Sequence, residues 1–222
     1  AACLTDAGKY DEADRYYDEA IKAAEILAED EENISYQQML AELYNNRGLS
    51  HNIRGNYIKA DEYYSDASDV YGKIYAKTGS DPDRAAYAVS LLNTGENAFK
   101  AYEYKRSKEF FIRGLDEYRK VADSLGTYHK AQYLAWRSYY ELIHLKDFDA
   151  ALASASEAYE LQPDNTLVKM NYAYACLYSG EEDLAEKLLG EIASSGTGEA
   201  DTIKRDLQAQ KNAGLKIKTI DI

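Results

Sequence analysis

Two prolines in 222 residues leave little to interrupt a helix, because proline removes a backbone donor and clashes with the preceding turn. Thirteen glycines are too few for a loop-rich chain, so the expected fold class is all-α. The two cysteines, Cys3 and Cys176, stand far apart and make neither a disulfide framework nor a metal site. Unpaired thiols favour a reducing, cytoplasmic setting and leave a bacterial periplasm open. No apolar run approaches the roughly 20 residues of a membrane span, and no secretory signal pattern is present. His51, His129 and His144 each lack a second histidine or a cysteine one helical turn away, which argues against a helix-borne zinc site. A glycine-rich phosphate loop and a Gly-x-Ser-x-Gly elbow are also missing. The expectation is therefore no enzymatic activity and no cofactor. Basic residues are in deficit, 26 against 39 acidic, and the net charge of −13 repels a phosphate backbone. Nucleic acid is not an expected partner.

What is present is 45% apolar residues, enough to build a core, and 22 tyrosines. Tyrosine fills a helix interface with its ring while its hydroxyl reaches water. The chain also repeats itself. A shift of 47 residues lays Gly8, Tyr10, Ala13, Tyr16, Tyr17 and Ala20 on Gly55, Tyr57, Ala60, Tyr63, Tyr64 and Ala67. A second shift of 47 leads to Tyr102, Tyr104, Ser107, Phe110, Phe111 and Gly114. The helix before each set repeats as well, with Ala41, Asn46 and Gly48 falling on Ala88, Asn93 and Gly95. A shift of 44 then gives Tyr139, Phe148 and Ala151, and a shift of 34 gives Ala173 and Ala185. Spacings of three, four and seven place these residues on one face of a helix. Pro163 and Asn165 break the chain between the last two units.

Gly8-Lys9-Tyr10-Asp11-Glu12-Ala13, followed by Tyr17 and Ala20, resembles the second-helix signature of the tetratricopeptide repeat, and Leu161-Gln162-Pro163-Asp164-Asn165 resembles the exit from one. The similarity runs over about residues 1–193. It implies a right-handed α-solenoid of stacked antiparallel helix pairs, closed by a capping helix. The expected units are a truncated first repeat at 1–33, further repeats at 34–79, 80–126, 127–163 and 164–198, a capping helix at 199–214 and a tail at 215–222. The early units exceed the family's length of about 34 residues. Tyr102 replaces the expected turn glycine, and Tyr139 replaces the expected small residue of the fourth unit. Ala1-Ala2-Cys3 looks like the end of a lipoprotein signal, yet Ala2-Cys3-Leu4 stands before Gly8 as Ala175-Cys176-Leu177 stands before Gly180. Cys3 therefore reads as part of a cut-off first helix. The chain starts inside a repeat without Met, which predicts a piece of a longer protein of bacterial type. Ser194 to Gly198 reads as a loop, and Gly214 as the end of the last helix.

In this family the first helix of each pair lines a concave face that holds a protein or peptide. The resemblance carries Asn46, Asn93 and Asn171 to one equivalent position, with Arg137 in its place in the fourth unit. An amide offers donors and an acceptor to a peptide backbone whatever its side chains; capping of local polar groups is the other reading of the same row. Tyr133, Trp136, Tyr140, Tyr174 and Tyr178 form an aromatic patch beside it, of the residue types that dominate binding energy. The chaperone-tail clamp of the family is disfavoured, because its lysine positions hold Asn45 and Tyr133. The expected function is a non-catalytic scaffold gripping a peptide or partner segment in that groove, without insertion into a membrane. Two alternatives stand beside it. One is a regulatory or assembly arm of a larger protein. The other is self-association, motivated by charge: residues 1–32 carry eleven acidic and three basic residues, whereas 202–222 carry five basic and two acidic ones.

Overall fold

The computed structural model describes residues 4–5, 8–30, 32–195 and 199–215. Cys3, the glycine-rich part of the expected loop at 196–198 and the tail from 216 onward lie outside the described residues. Among the described residues the secondary structure is helical throughout, and the fold is an all-α helical repeat. The helices divide between two units, Ala1–Tyr118 and Arg119–Ile222.

In the first unit the helices are α1 (Tyr10–Ala28), α2 (Ile34–Ile53), α3 (Tyr57–Thr78), α4 (Asp81–Lys100) and α5 (Tyr104–Arg119). Neighbours in sequence pack on one another, α1 with α2, α2 with α3 and α3 with α4. The 47-residue repeat has a direct structural counterpart. A Cβ built at Gly48 would lie 2.8 Å from the Tyr64 ring, and one at Gly95 would lie 3.0 Å from the Phe111 ring. A bare backbone on the first helix of each pair thus receives an aromatic ring from the second. The start of α4 shows how the sequence sets a boundary. Ser80 caps it by accepting from the Asp83 N–H at 3.3 Å, and Pro82 occupies the first turn, where its missing donor costs nothing. The Asp83 carboxylate in turn accepts from Ser80 Oγ and Thr78 Oγ1, both at 2.6 Å, and from Gln38 Nε2 of α2 at 2.9 Å. Burial pushes the Asp83 carboxyl up, but these three donors hold it below its ordinary value.

The second unit contains α6 (Thr127–Tyr140), a π-helical turn (Glu141–Leu145), α7 (Phe148–Leu161), α8 (Thr166–Ser179), α9 (Glu182–Ser195) and α10 (Glu199–Asn212). Asp147 caps α7 and Asn165 caps α8 through the Ala150 and Val168 N–H groups, so the chain break expected around Pro163 falls at a capped helix start. Nothing in the residue pattern signalled the π turn; it carries the buried Glu141, whose carboxylate accepts from Arg137 Nε and Ser154 Oγ, each at 2.8 Å. Tyr139 is buried although it stands where Gly48 and Gly95 stand earlier. Ala155 occupies the register of Phe111 and is also buried, so the large and small residues have changed places in the register. Tyr102 and Lys146 close their turns with φ of 65° and 54°, the left-handed backbone that Gly55 adopts at 74°. The departures from the expected residues therefore alter side chains and leave the turn itself intact. Ser194 and Ser195 extend α9 and do not form a loop. At the far end Gly214 turns left-handed after α10, and the Leu215 N–H closes back on the Gln210 carbonyl at 3.1 Å.

Two glycines test how closely these helices approach. A Cβ on Gly114 would stand 2.8 Å from Leu92 Cγ and 3.1 Å from the Ala88 carbonyl oxygen, which cannot swing away. Gly114→Ala is expected to cost about 1–3 kcal/mol by overpacking, despite a gain of about 1 kcal/mol in helix propensity. Gly190 in α9 has nothing within 4 Å, so Gly190→Ala is expected to stabilise by about 0.5–1 kcal/mol. Urea denaturation of the two variants should give opposite signs.

Candidate functional site

The amide row separates by unit. In the first unit, Asn46 on α2 is exposed and its side chain makes no hydrogen bond among the described residues. Asn93 on α4 donates from Nδ2 to Asn45 Oδ1 at 2.8 Å, which ties α4 to α2 and leaves its carbonyl and its second N–H open. Two turns further on, Asn52 Nδ2 donates to Asn97 Oδ1 at 3.0 Å, and Asn97 Nδ2 donates to the Tyr57 carbonyl at 3.0 Å. Buried Lys100 pairs with Glu96 at 2.7 Å and reaches Asn52 Oδ1 at 3.4 Å. The family register carries Asn52, Glu96 and Lys100 to the first-helix face beside Asn46 and Asn93, but it does not include Asn97 or foresee the chain that joins them. Its one local signal was the spacing of Glu96 and Lys100, four residues apart; the amide pairing joins residues 45 apart and has no local signature.

In the second unit the expected surface residues part company. Arg137 is half exposed and bonded to Glu141 through Nε. Tyr133 lies partly buried against the cluster of Ala131, Leu134, Ala135, Ala158 and Val168. Tyr140 is half-buried with its ring centre 5.4 Å from that of His144. Three others are interior, which corrects their expected place on an open face, and Tyr178 is partly buried. Trp136 is 4% exposed, Tyr174 is 1% and Asn171 is 5%. Asn171 Nδ2 donates to the Ala135 carbonyl at 2.9 Å, clamping α8 to α6. Tyr174 donates to Asp206 Oδ2 at 3.1 Å, and Tyr178 to Gln210 Oε1 at 2.7 Å. Both acceptors stand on α10. The capping helix thus covers the part of the tyrosine patch that lies on α8, and Lys146 Nζ holds the end of that helix through the Ala213 carbonyl at 3.2 Å.

The reactive side chains are placed for packing. Burial pushes the Cys176 thiol up to about 11, so it is no thiolate at neutral pH. His51 sits in a cluster at the junction of α1, α2 and α3. Its ring stacks on Tyr63 with centres 5.5 Å apart and planes 3° from parallel. Beside it, buried Arg47 pairs with Asp14 and Asp18, and Arg54 pairs with Asp14 at 2.8 Å. Burial would raise the Asp14 carboxyl, but the Arg54 hydrogen bond and the two guanidinium charges hold it below its ordinary value. No group of three His, Cys, Asp or Glu side chains among the described residues could hold a metal ion. No helix among them is long and apolar enough to cross a membrane. What the first-helix surface of the first unit offers is hydrogen bonding from the open Asn46 and from Asn93, held by Asn45.

Comparison with known proteins bears on the repeat itself. Residues 142–207 match the family model of the tetratricopeptide repeat. No curated protein sequence matches the chain significantly. Among solved structures, the chain is similar to BtubC (BKLC) from P. vanneervenii, with a TM-score of 0.56 at 16% identity, covering 92% of this chain and 77% of that one. It is also similar to the TPR2AB domain of yeast Sti1 in a complex with pHSP90, with a TM-score of 0.32 at 17% identity, covering 96% of this chain and 98% of that one.

Proposed function

Since the chain carries tetratricopeptide repeats, a fold of protein–protein interaction scaffolds, we propose that it holds an extended segment of a partner protein against the first helices of its repeats and performs no catalysis of its own. The observation that carries this reading is the amide pair of the first unit. Asn46 is exposed and unbonded, and Asn93 is held in place by Asn45 with half its bonding capacity unused. Asn93, fixed in this way, loses little freedom when it binds a peptide backbone, which keeps the entropic cost of its part in recognition low. Tyr133, Arg137 and Tyr140 supply the corresponding surface in the second unit. Trp136, Asn171 and Tyr174 support it from the interior.

The test is a random peptide array probed with the whole chain. Asn46→Ala and Asn93→Ala are each expected to weaken the peptides that bind by about two- to tenfold, the worth of one hydrogen bond of about 0.5–1.5 kcal/mol. Asn46→Ala should not lower the melting temperature, because its side chain bonds nothing in the protein and Ala is the better helix former. Binding unaltered in both variants would reject this surface.

A further inference from the structure

A cleft of about 550 Å³ opens in the first unit between α3 and α5, the second helices of two consecutive pairs, with α4 beneath it. None of the amides on the proposed first-helix surface lines it. Leu91, Phe110 and the Tyr87 ring supply buried or half-buried apolar lining, while Lys73, Arg113 and Asp69 are exposed at its rim. The cations of the rim differ from many of their neighbours. Lys77, Arg84, Lys100 and Arg106 of the same unit all pair with carboxylates. Lys73 and Arg113 have no carboxylate partner among the described residues, in a chain of net charge −13. Asp69, one turn before Lys73, stays beyond ion-pair distance of it. Arg113 is nevertheless positioned: its Nη2 donates to Tyr87 Oη at 3.1 Å, and its guanidinium lies 5.5 Å from the centre of the Phe110 ring. Gly72 allows this wall to close in, since a Cβ there would lie 3.2 Å from the Tyr87 ring.

From these features we infer a second binding site, for an acidic peptide segment with an apolar side chain between its carboxylates. The apolar lining takes the side chain, and Lys73 and Arg113 take the carboxylates. Arg113 is already oriented by Tyr87 and so loses little freedom on pairing. Ser65 and Ala76, both in the lining, are eleven residues apart on α3, about 16 Å at the helical rise. An extended peptide of about five residues spans that length. This site is independent of the amide surface on the first helices.

The probe is a fluorescein-labelled hexapeptide alternating Glu and Leu, titrated with the whole chain and followed by anisotropy, beside the same peptide with Gln for Glu. The acidic peptide is expected to bind, to weaken as salt is raised, and to outcompete its neutral counterpart. Lys73→Glu and Arg113→Glu should each weaken it by about tenfold or more, and Asp69→Asn should tighten it by removing a like charge. All three positions are exposed, so the helical circular dichroism should not change. Ala76→Trp fills the cleft without altering charge and should also abolish binding. Asn46→Ala and Asn93→Ala should leave this binding intact, which separates failure here from failure of the first-helix surface. Equal binding of the Gln peptide, absence of binding to the unaltered chain, or undiminished binding by the Lys73→Glu/Arg113→Glu double variant each overturns the proposal.

Discussion

Phe111→Ala is expected to remove about 3–5 kcal/mol of stability and to lower the melting temperature by roughly 6–20 °C. The ring is fully buried and fills the space that Gly95 leaves open on α4. Truncation therefore removes the transfer energy of an aromatic side chain and leaves a cavity against bare backbone, which relaxes only partly. A second substitution checks the mechanism. Gly95→Ala alone should destabilise, because its Cβ would meet the Phe111 ring at 3.0 Å. Combined with Phe111→Ala, the same methyl group enters the cavity, so the double variant should lose less than the sum of the singles. Strict additivity in urea denaturation would show that the two residues do not share one packing site. Tyr64 faces Gly48 in the same way one repeat earlier, and the repeat predicts a loss of similar size there.

The second large effect concerns acid. Burial and the charges of Arg47 and Arg54, with Lys59 adding to them and Asp14 opposing, push the His51 imidazole down from 6.5 to about 4. Because the folded value lies below the unfolded one, the unfolded chain takes up the proton first. The contribution is fully present above pH 6.5 and is lost as the pH falls to about 4. By linkage the loss approaches a value on the order of 3 kcal/mol. His51 is 2% exposed, and neither ring nitrogen has a hydrogen-bond partner. His51→Phe keeps the ring stack on Tyr63 and removes both unsatisfied nitrogens. The variant should be more stable than the parent chain at pH 4.5, and its stability should change less between pH 7 and pH 4.5. Asp14 and Asp83, both held below 3.8, lose their contributions at lower pH and do not confuse this window. An identical acid slope in parent and variant would assign the acid sensitivity to other groups.

The helices and their register were legible in the sequence because their signals are local and recur. A small residue, an aromatic four positions later, a second small residue after seven and a left-handed turn before them all appear again and again, and each copy supports the others. Even the exceptions kept the register. Tyr102 and Lys146 adopt the glycine-like backbone, and Tyr139 exchanges size with Ala155. The candidate surface was less legible. A first helix in this repeat packs on helices before and after it, so which of its residues meet solvent depends on chain that is remote in sequence. Tyr174 and Tyr178 look like open aromatic surface until Asp206 and Gln210 of α10 take their hydroxyls 32 residues later. Asn171 looks like a free amide until the Ala135 carbonyl accepts from it, 36 residues away.

The sequence by itself thus determined the all-helical repeat, the size pattern of its interfaces and the absence of a local catalytic or metal-binding motif, since composition and short-range periodicity govern all of these. Tertiary structure alone decided that Asn46 stays open while Asn171 is consumed, that Lys73 and Arg113 line one cleft, and that His51 is buried within reach of the charges of Arg47 and Arg54. Burial and pairing are properties of neighbours, and the neighbours come from other repeats.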